Sequence, residues 1–103
     1  MNRVRNHAVI QNWREGVSAR NHQNTLQSVA CEGGVTELYS YEQKIGHRTA
    51  NGVCVVADFT APGGQFHSMT TSCHVNGAKV GASLVMHPRV WAASAFRNSE
   101  VPF

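Results

Sequence analysis

The feature that most restricts the fold is the apolar, β-branched run at residues 53–60, which lies between two turn signals. Asn51-Gly52 precedes the run, and this dipeptide is the strongest two-residue hairpin signal because both positions tolerate a positive φ. Pro62-Gly63-Gly64 follows it. A continuous β-branched run bounded in this way predicts a central strand that is covered on both faces.

Further segments have strand character and are separated by short glycine-containing turns. They are residues 25–31, 35–41, 44–49 and 65–70. Consecutive strands joined by short turns favour antiparallel neighbours. The sequence therefore predicts an α+β fold with a mainly antiparallel meander of four or five strands over residues 25–70.

One main helix is predicted over about residues 72–87, packed across one face of the sheet. Apolar residues recur there at helical spacing, and Pro88 ends the pattern. These residues are Val75, Ala78, Ala82 and Val85. Thr71 and Ser72 precede the pattern, and both residue types are favoured at the N-cap. Gly77 within the helix predicts a flat face that lies close to the sheet.

The N-terminal 24 residues have two interpretations. Val9, Trp13 and Val17 repeat every four residues, which is the spacing of one helical stripe. A short helix over residues 6–16 would end at Gly16. The alternative is a loosely ordered basic arm with Trp13 packed against the sheet.

At the C-terminal end, the apolar residues 90–96 follow Pro88, which favours a second short helix. A terminal strand is the alternative, and residues 98–103 are expected to be a frayed tail. A chain of 103 residues corresponds to one domain, residues 1–103, and is long enough to bury a core without a metal or a disulfide.

The sequence has three cysteines, Cys31, Cys54 and Cys73. An odd number without a close pair is typical of reduced thiols. No apolar run approaches the roughly 18 residues that a membrane span requires, and no apolar stretch typical of a signal peptide follows the first arginines. We therefore expect a cytoplasmic protein with free thiols and no membrane contact.

Two phrases in the chain resemble the pattern of a small domain found in tailed-phage and related viral proteins of unknown function. The two phrases follow Leu-Tyr-Ser-Tyr-x-x-x-Ile and Tyr/Phe-Ser-x-Thr-Thr-Ser-x-His, and a Leu-x-Ser strand precedes the first. The matching residues are Leu26, Ser28, Leu38, Tyr39, Ser40, Tyr41, Ile45, Phe66, Ser68, Thr70, Thr71, Ser72 and His74, with His67 as an extra residue. The resemblance covers residues 25–75 and implies a phage origin and an accessory role without an established reaction.

The sequence favours a non-catalytic protein without a cofactor or a metal. Cys73 and His74 are adjacent near the expected helix N-terminus, where the pKa of a thiol is lowered. Adjacent residues of a helix point about 100° apart, however, so the two side chains do not face each other. A metal site built from Cys54, His67, Cys73 and His74 would lack the usual ligands spaced two to four residues apart.

A basic segment and two tyrosines form the expected binding surface. The net charge is +3, and the first 22 residues carry four arginines, Arg3, Arg5, Arg14 and Arg20, against one glutamate. Arginines are typical phosphate contacts. Tyr39 and Tyr41 are predicted to share a strand face, which would allow them to stack on bases.

The leading hypothesis is a phage-type accessory protein that binds and inhibits a host protein complex, with arginine and aromatic anchors. The alternative is a small nucleic-acid-binding protein that uses the basic N-terminal arm. Salt distinguishes them, because phosphate contacts weaken steeply as the salt concentration rises.

Overall fold

The computed structural model describes residues 2–59, 69–80 and 82–94. Within these residues the chain forms seven strands and three α-helices. The strands are Asn2–Val4 (β1), Ala19–Asn21 (β2), Leu26–Ala30 (β3), Thr36–Ser40 (β4), Gln43–Arg48 (β5), Cys54–Ala57 (β6) and Leu84–Met86 (β7). The helices are Asn6–Glu15 (α1), Met69–Lys79 (α2) and Pro88–Ala92 (α3), and a 3₁₀ turn spans Glu32–Gly34.

The seven described strands form one sheet in which the spatial order is the order along the chain. β2 to β6 are antiparallel neighbours, whereas β1 pairs in parallel with β2 and β6 pairs in parallel with β7. A parallel pair needs a crossover connection, which α1 and α2 provide. The predicted α+β fold is confirmed, with more strands than the four or five expected.

The N-terminal segment belongs to the core rather than to a loose arm. α1 ends at Gly16, whose φ of 80° is the left-handed conformation favoured at a helix C-terminus. Trp13 is fully buried, and its Nε1 donates a hydrogen bond of 3.0 Å to the carbonyl of Thr36 in β4. The short-helix interpretation is therefore the correct one, and β1 and β2 add two strands that we did not predict.

α2 begins and ends earlier than the hydrophobic pattern predicts. Because the helix already includes Thr71 and Ser72, the prediction that one of them is its N-cap is wrong. The C-terminal part of the predicted helix instead contains β7, where pairing with β6 overrides a weak helical pattern. A Cβ added at Gly77 would lie 2.9 Å from Ile10 Cδ1, so this glycine permits close approach to α1 rather than to the sheet.

Two predictions fall wholly or mostly outside the described residues. They are the strand at residues 65–70 and the frayed tail at residues 98–103. Met69 and Thr70, the described residues of that strand, are helical. α3 begins at Pro88, so the short-helix interpretation of the C-terminal end holds for the residues that the structure describes.

The two faces of the sheet carry different side chains, because successive residues of a strand point to opposite sides. On the face covered by α1, Leu38 of β4 pairs with Gly46 of β5. A Cβ added at Gly46 would lie 2.8 Å from the Trp13 ring, so only glycine fits under this helix. The opposite face carries a row of paired polar residues across β2 to β5, namely Arg20, Gln27, Tyr39 and Lys44.

Candidate functional site

A polar pocket of about 350 Å³ lies at one end of the sheet. Its lining residues are Asn6, Asn21, Gln23, Thr25, Tyr41, Thr70 and His74. They come from the start of α1, the β2–β3 turn, the β4–β5 turn and the first half of α2. None of them is a carboxylate, a lysine or an arginine. The volume lies in the range of small-molecule sites.

α1 and α2 run in the same direction, and both begin at this pocket. Asn6 is the first residue of α1 and Thr70 is the second residue of α2. At the other end, Arg14 Nη2 donates to the carbonyls of Gly77 and Ala78 at 3.4 and 3.3 Å. Neither helix has an acidic residue in its first turn. The positive ends of two helix dipoles are therefore directed to one pocket without a carboxylate of their own to offset them.

Asn21 connects the pocket wall to α1. It is 1% exposed, and its Oδ1 accepts hydrogen bonds from the backbone N–H groups of Thr25 and Leu26 at 2.8 and 3.2 Å. Its Nδ2 donates to Asn6 Oδ1 at 2.8 Å and to Thr25 Oγ1 at 2.7 Å. One buried amide thus fixes the β2–β3 turn and the start of α1 relative to each other.

A second buried network joins the two phrases that carry the phage resemblance. Ser40 Oγ, from the first phrase, lies 2.7 Å from His74 Nδ1 and 3.0 Å from Thr71 Oγ1, both from the second phrase. All three residues are buried. The two phrases therefore meet through residues that are 31 and 34 positions apart, in one hydrogen-bonded chain that connects β4 to α2.

His74 is the residue of the pocket with an unfilled hydrogen-bonding group. It is 2% exposed, and its Nε2 has no hydrogen-bond partner within the described part of the chain. Burial lowers the pKa of His74, so the imidazole is neutral at pH 7. Because Ser40 holds Nδ1, Nε2 is the ring nitrogen left for a ligand. A buried polar atom without a partner is rare in folded proteins and marks a functional candidate.

Tyr41 lines the pocket from the β4–β5 turn, where its φ is 54°. A left-handed conformation is strained for a bulky side chain, and such strain concentrates at functional sites. β4 ends at Ser40, so Tyr41 does not share a strand face with Tyr39 and that prediction is wrong. Tyr39 lies on the opposite face of the sheet, where its hydroxyl donates to Glu37 Oε1 at 3.2 Å.

Comparison of the chain with family models, with curated proteins and with solved structures finds no match in any of the three. The chemistry of the site therefore follows from its own geometry. No helix in the described part of the chain is long and apolar enough to cross a lipid bilayer.

The arginines predicted to form one binding surface have different surroundings. Arg5 is exposed at the N-cap of α1, whereas Arg14 lies half-buried near the other end of this helix, roughly 14 Å away at 1.5 Å per residue. Arg20 lies in β2 on the sheet face opposite to α1. The Arg3 side chain lies outside the described part of the structure. The three described side chains do not form one continuous basic surface.

A second polar cluster lies on the face opposite to α1. Lys44 Nζ is 2.7 Å from Glu37 Oε2 and 3.0 Å from His47 Nδ1, and it lies 5.9 Å from the centre of the Trp91 ring in α3. The side chains of Lys44 and Glu37 are only 7% and 13% exposed. Cys31 Sγ donates to Glu37 Oε1 at 3.2 Å. This cluster connects β4, β5 and α3 and has a structural role.

The three cysteines are free thiols, and burial disfavours ionisation of two of them. Burial and the hydrogen bond to Glu37 raise the pKa of Cys31 to about 11, and burial raises the pKa of Cys54. Cys73 is exposed on α2 while His74 is buried, so the two side chains point to different environments. Within the described residues no group of three or more metal-ligating side chains comes together, and His67 lies outside them.

The neutral state of His74 predicts an acid-sensitive stability. The unfolded chain takes up a proton near pH 6.5, whereas the folded state does so only at a lower pH. The stabilisation is therefore complete above pH 6.5 and is lost as the pH falls toward the lowered pKa. The free energy of unfolding, measured with urea, should fall between pH 7.5 and 5.5 in both proteins. The decrease should be larger in wild type than in His74→Gln, by up to about 1.4 kcal/mol. Equal losses in the two proteins would contradict this prediction.

Proposed function

We propose that the protein is a non-catalytic accessory protein that binds and inhibits a protein complex of a host cell, with the sheet edge at β7 as its docking surface. The observation that supports this is the distribution of exposed apolar side chains. Of seven large exposed hydrophobic residues in the described part of the chain, four fall within residues 80–90. They are Val80, Leu84, Val85 and Val90, which are 70%, 45%, 41% and 56% exposed. They lie in β7 and in the segments that flank it, and exposed apolar residues around an edge strand favour an interaction site.

The backbone of β7 fits an extended partner segment. β7 is the last of the described strands in the sheet order, and the Met86 carbonyl accepts a hydrogen bond of 2.9 Å from the N–H of Asp58 beside β6. Because backbone groups alternate along a strand, the N–H and C=O of Val85 point away from β6. Edge strands are commonly protected by charges, but Arg89 is the only charged residue between positions 80 and 90. This edge is suited to pairing with a strand of another protein.

The site geometry favours binding over the other classes of function. Among the described residues, Ser40 and His74 most resemble the nucleophile and base of a hydrolase. Ser40 is 0% exposed, however, so a substrate does not reach its hydroxyl. Among the described side chains, Arg5, Arg14 and Arg20 lie apart from one another, which favours a protein partner over the nucleic-acid alternative. The choice of a host complex, and of the host cytoplasm as the place of action, rests on the phage resemblance.

A pull-down from nuclease-treated host lysate tests this function when it is combined with variants of the β7 edge. We expect wild type to recover a defined complex, and we expect Val85→Lys and Leu84→Lys to recover at least about tenfold less, because each buries a charge in the interface. Val17→Lys is the matched control, since Val17 is 48% exposed and lies far from β7 between α1 and β2. This control should recover the complex as wild type does.

Two outcomes would overturn the proposal. One is equal recovery of the complex by Val85→Lys and wild type. The other is tight binding to purified DNA or RNA that falls steeply with salt, without a recovered protein; a smaller salt slope after removal of Arg5 or Arg20 would then identify nucleic acid as the partner.

A further inference from the structure

We propose that the polar pocket binds the phosphate group of a small organic phosphate ester between the N-termini of α1 and α2. This site is independent of the β7 docking surface. It lies beside β2 to β5, and β7 is two strand positions beyond β5 in the sheet, or about 10 Å at the usual strand spacing. A ligand in the pocket can therefore be tested without a protein partner.

The first argument for a phosphate group is the electrostatic field of the two helices. A helix N-terminus presents backbone N–H groups and a positive partial charge, and both favour an anion. The N-cap of α1 is Arg5, which makes no side-chain hydrogen bond to the helix. The N–H groups of the first turn are therefore not capped by that side chain. α2 starts at the same pocket, so two helix ends favour the same negative charge.

The second argument is the unpartnered ring nitrogen of His74, which is independent of the helix ends. In the tautomer that we propose, Ser40 donates to His74 Nδ1, so that the imidazole proton lies on Nε2. The buried Nε2–H is then a donor at the pocket, and a phosphate oxygen would satisfy it. The hydroxyl chain from α2 to β4 thus keeps the ring oriented.

The third argument concerns the rest of the ligand. A volume of about 350 Å³ exceeds what a single phosphate group fills and falls in the usual range for small organic ligands. Gln23, Thr25 and Tyr41 line the pocket with amide and hydroxyl groups that pair with hydroxyl groups of a ligand. The described lining residues include no carboxylate, which disfavours a cationic ligand. A hydroxylated phosphate ester, such as a sugar phosphate, fits these features.

The experiment compares ribose 5-phosphate, inorganic phosphate and ribose by calorimetric titration, with amide chemical shifts as a second readout. We expect ribose 5-phosphate to bind at least about tenfold more tightly than ribose, since the helix ends act only on the charged group. Inorganic phosphate should displace ribose 5-phosphate only at higher concentrations, because it has no sugar hydroxyl groups to contact Gln23, Thr25 and Tyr41. The amides of Asn6, Thr70 and His74 should shift most.

Asn6→Asp is the decisive variant, because it adds a negative charge at the pocket without disturbing the fold. An aspartate oxygen can still accept the hydrogen bond of Asn21 Nδ2, and a carboxylate at a helix N-terminus stabilises the helix. We expect its affinity for ribose 5-phosphate to fall at least about tenfold with an unchanged or higher melting temperature. Gln11→Glu, an exposed change within α1, adds the same charge elsewhere and should alter the affinity less than about twofold.

Three results would overturn the inference. The first is equal affinity for ribose 5-phosphate and ribose, which would show a neutral ligand site. The second is unaltered binding by Asn6→Asp. The third is a set of shifted amides that excludes Asn6, Thr70 and His74, which would place the phosphate elsewhere on the protein.

Discussion

Replacing Trp13 with alanine is expected to lower the free energy of unfolding by about 3–5 kcal/mol. The side chain is fully buried between α1 and the sheet, and its ring lies against Gly46. Removing it leaves a cavity that the backbone of β5 cannot fill, and it leaves the Thr36 carbonyl without its donor. Small domains are stable by only about 5–15 kcal/mol, so this change would remove a large part of the total.

Urea denaturation followed by circular dichroism measures this loss. Trp13→Phe keeps most of the ring volume but removes Nε1, and we expect it to cost about 1–3 kcal/mol. Val17→Ala, at an exposed position just beyond α1, is the control and should change the stability by less than about 0.5 kcal/mol. A Trp13→Ala protein within 1 kcal/mol of wild type would show that α1 is not part of the core.

The second large effect is expected at the buried ion pair on the other face of the sheet. Lys44→Met should cost about 3 kcal/mol, because it removes the cation that compensates the nearly buried Glu37 carboxylate. Burial lowers the pKa of Lys44, because it disfavours the charged amine. The Glu37 carboxylate acts in the opposite direction and stabilises that charge. Replacing both residues, as Lys44→Met with Glu37→Gln, should therefore cost less than the sum of the two single changes.

A double-mutant cycle from thermal and urea unfolding measures this coupling. Lys79→Met provides the comparison, since Lys79 and Asp58 form an ion pair of 3.2 Å in which Lys79 is 32% exposed. Solvent screens such a pair, so we expect a cost below about 1 kcal/mol. Additive single effects at Lys44 and Glu37 would contradict a coupled buried pair.

Local sequence signals were sufficient to predict those strands and helices whose own residues determine their conformation. The β-branched run before Asp58 predicted β6, and the glycine turns after Cys31 and before Val53 separated the strands that the structure contains. The helical spacing of Val9 and Trp13 indicated α1 as one of two interpretations of the N-terminal segment, and the structure contains this helix. In these segments the spacing of the apolar residues matches the side that is buried in the structure. The neighbouring residues alone therefore predict the type of secondary structure.

The boundaries of α2 and the existence of β7 depended on longer-range pairing. Val85 continues the helical period of Val75 and Ala78, yet it pairs with Val56 in β6. Strand propensity depends on the neighbours that a sheet supplies, and the sequence alone does not show those neighbours. The same reason explains the unpredicted strands β1 and β2, whose three residues each are too few for a periodic signal.

The candidate site shows the same division between local and tertiary information. The residues of the two phrases were recognised from the sequence, including Ser40 and His74, but as a family pattern rather than as a network. Asn6 and Asn21 were not predicted at all, because polar residues in turns and at helix starts are common and carry no distinctive spacing.

What the sequence determined by itself is the fold class and the central buried strand at residues 53–57, whereas the structure decided that Trp13 belongs to the core. The tertiary structure alone decided which polar groups meet. Two parallel helices start at the same end of the sheet, and the backbone crossovers that place them there bring Asn6, Asn21 and His74 into one pocket. Such a site depends on the relative positions of elements that are tens of residues apart, and hydrophobic periodicity carries no information about those positions.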